Sequence, residues 1–282
     1  MADIELHVHP FLGNNSVSDV VEAMEDRGLN VLALEILDDT VYPFVQEQVG
    51  RVYPGAMQDA KGIRLPNGKY LLNAREYNTR EGIHILTIGY SMDEANPQTE
   101  IRKIIENGLE NNALVLLDHP FVDNIGTRTA GHISDELEQE LVGLCKEYSG
   151  SVALEWNGYC IPWMRQVLKH VLNVAGKGMK YHDVNKKAEE LSEKLKRDGF
   201  NVPVVADTDL HGRSKRMLKH MGTSRVITDI EGETPTEVVD SLRKNIFSGD
   251  YENVKKYVSS AHLLEAFCIP ILFPNQFHKP RS

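Results

Sequence analysis

Two histidines separated by one residue, His7-Val8-His9, stand near the start of the chain. On a strand, alternate side chains project to one side, so both imidazoles can grip one cation. Further groups of the same kind recur downstream: Glu76 and His84, then Asp118-His119-Pro120, then Glu155, then Thr208-Asp209-Leu210-His211. Mixed imidazole and carboxylate donors suit zinc, manganese or iron. Two such ions about 3.5–4 Å apart can clamp the attacking and leaving oxygens of a phosphoryl group, and they lower the pKa of bound water toward 7. That chemistry needs no serine or cysteine nucleophile.

For these residues to meet, the elements carrying them must converge. Apolar runs rich in Val, Ile and Leu at 4–7, 31–35, 69–77, 83–89, 113–117, 152–155, 202–206 and 225–227 predict buried strands. Helical spacing predicts helices from Ser16 or Ser18 to Arg27, ending at Gly28, and over 96–112, 134–148, 161–175, 183–198 and 234–247. The alternation predicts a parallel α/β sheet with crossover helices. Asn67-Gly68 marks a turn, so a local hairpin is expected near the third strand. In a parallel barrel the carboxyl ends of the strands open on one mouth, where ligands from separate strands can build one polynuclear site.

Composition narrows the setting. With 282 residues, 41% hydrophobic and 26% charged, the chain reads as one globular domain over 1–282, the size of a single α/β barrel. A net charge of −10 opposes polyphosphate and anionic membranes, so nucleic acid is expected only as a locally held substrate. Cys145, Cys160 and Cys268 form no CxxC pair, and no secretion signal or membrane span is visible, so the expected location is the cytoplasm. The lysine-rich stretch 177–196 is interleaved with Glu189, Glu190 and Glu193, the pattern of a solvated helix face.

From Ile4 to about Thr228 the sequence resembles the PHP (polymerase and histidinol phosphatase) domain of metal-dependent phosphoesterases. Glu5-Leu6-His7-Val8-His9 is similar to its opening DLHxH, with Glu5 in place of Asp. Glu76 with His84-Ile85-Leu86, His119-Pro120, and Thr208-Asp209-Leu210-His211 resemble its later motifs. The resemblance implies a distorted (β/α)7 barrel of PHP type, with seven parallel strands inside and helices outside. It further implies that His7, His9, Glu76 and Asp209 hold one divalent ion, that Glu76, His84 and His119 hold a second with Glu76 as the bridge, and that His211 belongs to a third. Glu76, Asp209 and His211 are then the catalytic residues. The chain departs from the pattern after the second strand, where 34–40 reads Leu-Glu-Ile-Leu-Asp-Asp-Thr without a histidine. A third ion would rest on Asn14, Asp38 and His211, and the first two substitutions are poorer ligands. The function implied is hydrolysis of a phosphomonoester by metal-bound hydroxide, the substrate being a nucleotide, an oligonucleotide end or a small phosphorylated metabolite.

An acidic protein that binds a phosphate dianion also needs local cations. Arg75 and Arg80 bracket Glu76, Arg128 follows His119, and Arg213, Lys215 and Arg216 follow His211. Guanidinium groups match phosphate oxygens bidentately, so Arg75, Arg80, Arg128 and Arg213 are the candidate substrate contacts. Glu155 is a candidate for orienting a ligand histidine, while Trp156 and Asn157 are candidates for lining a base or sugar pocket. His132 lies in a glycine-containing loop, and the other histidines read as surface or core residues. Two rivals remain. One is an amidohydrolase-like barrel, which usually bridges its metals with a lysine carbamate, and no lysine stands at a comparable strand end. The other is a catalytically silent PHP-like binding module.

Overall fold

A computed structural model of the chain describes residues 1–35, 41–92, 99–123, 131–163 and 183–262. In order these form β1 (Ala2–His9), α1 (Val17–Asp26), β2 (Val31–Glu35), α2 (Val41–Val52), β3 (Met57–Asp59), β4 (Gly62–Arg64), β5 (Tyr70–Asn78), β6 (His84–Ile88) and α3 (Ile101–Glu110). Then come β7 (Leu114–Asp118), β8 (Val122–Asp123), β9 (Gly131–His132), α4 (Asp135–Glu147), β10 (Val152–Asn157), α5 (Val184–Arg197), β11 (Val204–Asp207) and β12 (Leu210–His211). The last are α6 (Lys215–Leu218), β13 (Arg225–Thr228), α7 (Pro235–Ser248) and β14 (Tyr251–Val254). All eight expected strands are present, and the expected hairpin is β4–β5, with the Asn67-Gly68 turn between them. Most of the expected helix at 161–175 lies outside the described residues.

Along the main sheet the order is β11-β10-β7-β6-β5-β2-β1-β13-β14. Strands β1, β2, β5, β7, β10 and β11 run one way, but β6 is antiparallel to both neighbours and β13 is antiparallel to β1. The seven-parallel-strand expectation is corrected on this point. Only residues 79–83 join β5 to β6. A parallel return needs a dozen residues or more, so the chain must turn back on itself. Thr79 and Gly82 make that turn: the Thr79 hydroxyl donates to the Ile83 carbonyl, and Gly82 takes a φ of +89°. The sheet curls into a nearly closed barrel. Near the seam Asn253 of β14 stands in for a strand partner, its amide donating to the Val204 carbonyl and its oxygen accepting from the Ala206 N–H, both at 2.8 Å.

Period-two alternation divides the side chains into an inner and an outer set. Inside, Ile4, Leu6, Val31, Ala33, Leu72, Ala74, Leu86, Leu114, Leu116, Ala153 and Val205 pack with Val238, Val239, Leu242 and Ile246 of α7, which closes the base of the barrel. The helix is well capped. Thr234 and Glu237 form a reciprocal capping box, Pro235 sits in the first turn, and Gly249 ends it in the left-handed region. Outside, Val8, Leu32, Leu34 and Leu71 pack under α1 and α2, and a second apolar layer lies under α3, α4 and α5.

One irregularity decides where the first two histidines point. From Glu5 to Val8 the chain advances three residues, while its partner advances two, from Leu32 to Leu34. This extra residue is a β-bulge, and it reverses the alternation. Ile4 and Leu6 face the inner core and Val8 faces the outer layer, so His7 and His9 both turn into the mouth. In an unbroken strand their parity would send them to the helix side.

Candidate metal centre

Each remaining strand delivers its group at the same end. Glu35 ends β2, Glu76 lies near the end of β5, Asp118 ends β7, Glu155 and Asn157 close β10, and Asp207 ends β11. His84 reaches the mouth because β6 runs backwards and begins there, directly opposite Asp118 in register. Two residues just past strand ends, His119 (φ +26°) and Asp209 (φ +55°), take left-handed backbone conformations that non-glycine residues seldom adopt. At His119 the departure keeps the side chain in the mouth when strand alternation after Asp118 would turn it away, and strain of this kind concentrates at functional sites.

Glu76 stands between two groups of donors. Its Oε2 lies 3.5 Å from His9 Nε2 and 3.9 Å from His7 Nε2, and Asp209 Oδ1 lies 3.2 Å and 3.7 Å from the same two nitrogens. The other carboxylate oxygen, Oε1, touches His84 Nδ1 and lies 3.6 Å from His119 Nε2. The histidine rings pack against one another at tilted angles, with centroids 4.7 Å apart in the His7–His9, His9–His211 and His84–His119 pairs.

A layer beneath fixes these rings. Glu155 accepts from His7 Nδ1 at 2.9 Å, from the His119 N–H at 2.7 Å and from Asn157 Nδ2 at 3.0 Å. Asn157 Nδ2 also donates to Asp209 at 2.9 Å. Glu35 pairs with His9 Nδ1 at 2.8 Å. Hydrogen bonds at Nδ1 leave each Nε2 as the free lone pair, the arrangement a metal-ligating histidine needs. Glu5, in the place of the resembling motif's aspartate, accepts from the Thr208 N–H and hydroxyl and from the Gly222 N–H, tying β1 to the segment that carries Asp209.

The donor set fits divalent cations. His7 Nε2, Asp209 Oδ1 and both oxygens of Asp118 are buried with no hydrogen-bond partner among the described residues, a cost that native interiors rarely leave uncompensated. Burial alone would lower His7 and His9, yet neighbouring carboxylates prevail: Asp118 and Asp209 hold His7 well above the ordinary range, and Glu35 lifts His9 to about 10. Against burial, His84 holds Glu76 well below the carboxylate range. Burial and the charge of Glu155 push Asp118 and Asp207 well above it. Protons therefore balance the charge when cations do not, and a bound divalent ion reverses that logic. His211 differs. Burial pushes it down to about 4, so its imidazole is neutral and able to coordinate or accept. With His9 and Asp209 it forms a further group whose donor atoms lie within 4.8 Å of one another.

His7, His9, Glu76, His84, His119, Asp209 and His211 are thus brought together at one mouth. Other expected residues are not. Arg75 lies on the outer face of β5, opposite in parity to Glu76, where it reaches Ser91 and the Tyr77 ring. Arg80 is exposed and paired with Glu100 at 2.7 Å and Glu81 at 3.1 Å. Asn14 is exposed, whereas its neighbour Asn15 is buried and donates to the Pro10 and Gly212 carbonyls at 2.7 Å and 2.5 Å. Arg213 is half-buried on that same loop. A Cβ on Gly13 would sit 2.0 Å from the Arg213 carbonyl oxygen, so only glycine lets the two loops touch. Trp156 faces the outer core and stacks on Tyr257, away from any base or sugar pocket. Arg128 and Asp38 lie outside the described residues. The carboxylates Glu35 and Asp207 were not among the expected site residues, and Asp118 stood in the expected series of donors without an assigned role; position at a strand end is the signal that marks all three.

No protein-family model and no curated protein sequence matches the chain. Solved structures do. PsfC from Pseudomonas syringae PB-5123 superposes with a TM-score of 0.58 at 12% identity, covering 96% of this chain and 98% of that one. A two-domain protein from Bacteroides vulgatus, containing a predicted PHP-like metal-dependent phosphoesterase, gives 0.52 at 13% identity, with 95% and 69% covered. The lesion-specific endonuclease PfuEndoQ from Pyrococcus furiosus gives 0.50 at 14% identity, with 89% of this chain and 57% of that one. The likeness establishes the fold: the chain has the α/β barrel that these structures share, the PHP-like one among them. Among the described residues no helix is long and apolar enough to cross a membrane.

Proposed function

We propose that the chain is a divalent-metal-dependent hydrolase of phosphoester bonds. The observation that carries this reading is Glu76, whose two oxygens face separate histidine sets: Oε2 faces His7 and His9, and Oε1 faces His84 and His119. A carboxylate so placed fits the spacing of two cations that share one substrate. Held there, two divalent ions would supply Lewis acidity toward a phosphoryl oxygen and toward water at neutral pH. The chain's own residues supply the rest. His7, His9 and Asp209 would hold one position, His84 and His119 the other, and Glu76 both. Glu155 and Glu35 fix the tautomers of His7 and His9 through Nδ1. His211, neutral and beside Asp209, is placed to accept or pass a proton at the rim. Arg213, on the loop locked by Gly13 and Asn15, is the described guanidinium best placed to meet the far side of a phosphate.

The reading of a phosphomonoester substrate rests on the resemblance to the PHP family. The barrel's likeness to an endonuclease keeps oligonucleotide ends in the set, alongside nucleotides and small phosphorylated metabolites. Zinc, manganese and iron all suit the donors. The test is direct. Chain stripped with a chelator and reloaded with manganese or zinc should release phosphate from nucleotides, from 5′- or 3′-phosphorylated oligonucleotides, or from a chromogenic phosphomonoester, and Glu76→Gln should not. Absence of metal binding, or turnover that Glu76→Gln leaves intact, would reject the proposal.

A further inference from the structure

We infer that Asp118 is a fourth protein ligand of the cation position formed by Glu76, His84 and His119, an inference that rests on the metallohydrolase reading above. The histidine-and-glutamate motifs do not include it. It emerges from the strand geometry. Asp118 and His84 are direct cross-strand partners on the inner face of β7 and β6, so their side chains necessarily approach. The next residue would normally point to the opposite face. His119 instead takes a φ of +26°, and two consecutive side chains enter the same site. Asp118 Oδ2 lies 3.2 Å from His119 Nε2 and 4.0 Å from His84 Nδ1. With Glu76, these residues offer four donor atoms that all lie within 4.8 Å of one another.

Asp118 is short of hydrogen-bond donors in its own surroundings. It is fully buried, and neither oxygen has a hydrogen-bond partner among the described residues. The nearest alternative donor is His7 Nδ1, 3.4 Å from Oδ1, but that nitrogen lies closer, at 2.9 Å, to Glu155. A ring nitrogen carries one proton, and Glu155 takes it. The N–H of His119 and the amide of Asn157 also go to Glu155. Glu35, Glu155 and Asp209 each have at least one such donor. A buried carboxylate facing two imidazoles and a second carboxylate has the surroundings of a ligand. The consequence is a donor set of two oxygens and two nitrogens, harder than the one-carboxylate, two-histidine set the motifs alone supply. It shifts that position toward manganese or iron and away from zinc.

Calorimetric titration of the chelator-stripped full chain with Mn²⁺ tests this, with circular dichroism to check folding. The wild-type chain should bind two ions. Asp118→Asn should keep one and weaken the other by more than about 100-fold, beyond the 10–100-fold scale of losing an outer partner, and so should His84→Gln, with no further loss in the double variant. Zn²⁺ affinity at that position should fall less than Mn²⁺ affinity. Two ions bound by Asp118→Asn with wild-type affinities would overturn the assignment, as would a loss additive with that of His84→Gln. If the wild-type chain binds no ion, the metallohydrolase reading itself fails. If the variant does not fold, anomalous scattering from wild-type crystals soaked in Mn²⁺ decides: an Asp118 oxygen about 2.2 Å from a peak supports the ligand, and one beyond about 3 Å excludes it.

Discussion

At the base of the barrel, Leu242 and Ile246 of α7 meet Ile4, Leu72, Leu114 and Val205, and each of them is buried without a polar atom in its side chain. At the other end of the same strands, His7, Glu35, Glu76, Asp118, Glu155 and Asp207 crowd together. Both ends are packed. At the base, removal of apolar surface from water stabilises the fold. At the mouth, buried carboxylates and imidazoles oppose folding unless protons or cations balance them. One sheet therefore carries a region that holds the structure and a region that the structure must hold. Stability and function should separate along the strand axis.

The sharpest break of that comparison is at Glu76. Glu76→Gln keeps the shape and removes the charge that faces both donor sets. Both ions should be lost together, and turnover should fall by about a thousandfold or more, the scale of losing a main electrostatic stabiliser. Chelated wild-type and the variant should then unfold at similar denaturant concentrations, because neither holds the ions. Loss of only one ion, seen by elemental analysis, would show that Glu76 serves a single position.

The mirror experiment is at the base. Leu242→Ala empties part of a fully buried site and should cost about 2–5 kcal/mol of unfolding free energy. Metal stoichiometry and turnover at low temperature should not change. A variant that loses metal in proportion to stability would mean that the two ends are coupled through the strands. Chelation gives the complementary measure: at free metal 100 times the dissociation constant, each ion should add about 2.7 kcal/mol to wild-type stability, and the same increment should appear in Leu242→Ala.

Between these lies Glu155, which belongs to the mouth but touches no substrate in the proposed scheme. It holds His7, the His119 N–H and Asn157 at once. Glu155→Gln replaces an acceptor by a donor on one side, and metal affinity should fall by about 10–100-fold. Calorimetry reads this, and a larger fall would mean that Glu155 is itself a ligand.

The strands, the helix starts near Ser16, Ser134 and Thr234, and the candidate metal ligands were legible because each leaves a local trace: an apolar run, helical spacing, or a histidine beside a strand. What stayed hidden depends on pairing. The bulge that turns His7 and His9 inward is a register shift between β1 and β2, and register has no signature in a single strand. The reversal of β6 was readable in principle, since five residues cannot make a parallel crossover. Glu35 and Asp207 look like ordinary residues at strand ends until a neighbouring strand places a histidine beside them, and the cross-strand approach of Asp118 to His84 shows only once β6 and β7 are paired. Arg75 shows the converse. Its nearness to Glu76 in sequence places it on the opposite face of the sheet.

The smallest expected effect separates the two arginines that proximity in sequence cannot rank. Arg80 is more than half exposed and already engaged by Glu81 and Glu100. Such a pair gains little from Coulomb attraction in water and is screened by salt. Arg80→Ala should leave metal content, KM, kcat and stability unchanged within error. Arg213 is half-buried two residues from His211, on a loop whose backbone is fixed by Asn15 and by the contact with Gly13, so its side chain starts from an anchored position next to a candidate ligand. Arg213→Ala should raise KM for a phosphate substrate several-fold, with both ions retained. Steady-state kinetics on the two variants decides between two routes into the mouth. A KM effect at Arg80 with none at Arg213 would place substrate entry over the β5–β6 turn instead of the β12 loop, and would return Arg213 to a structural role.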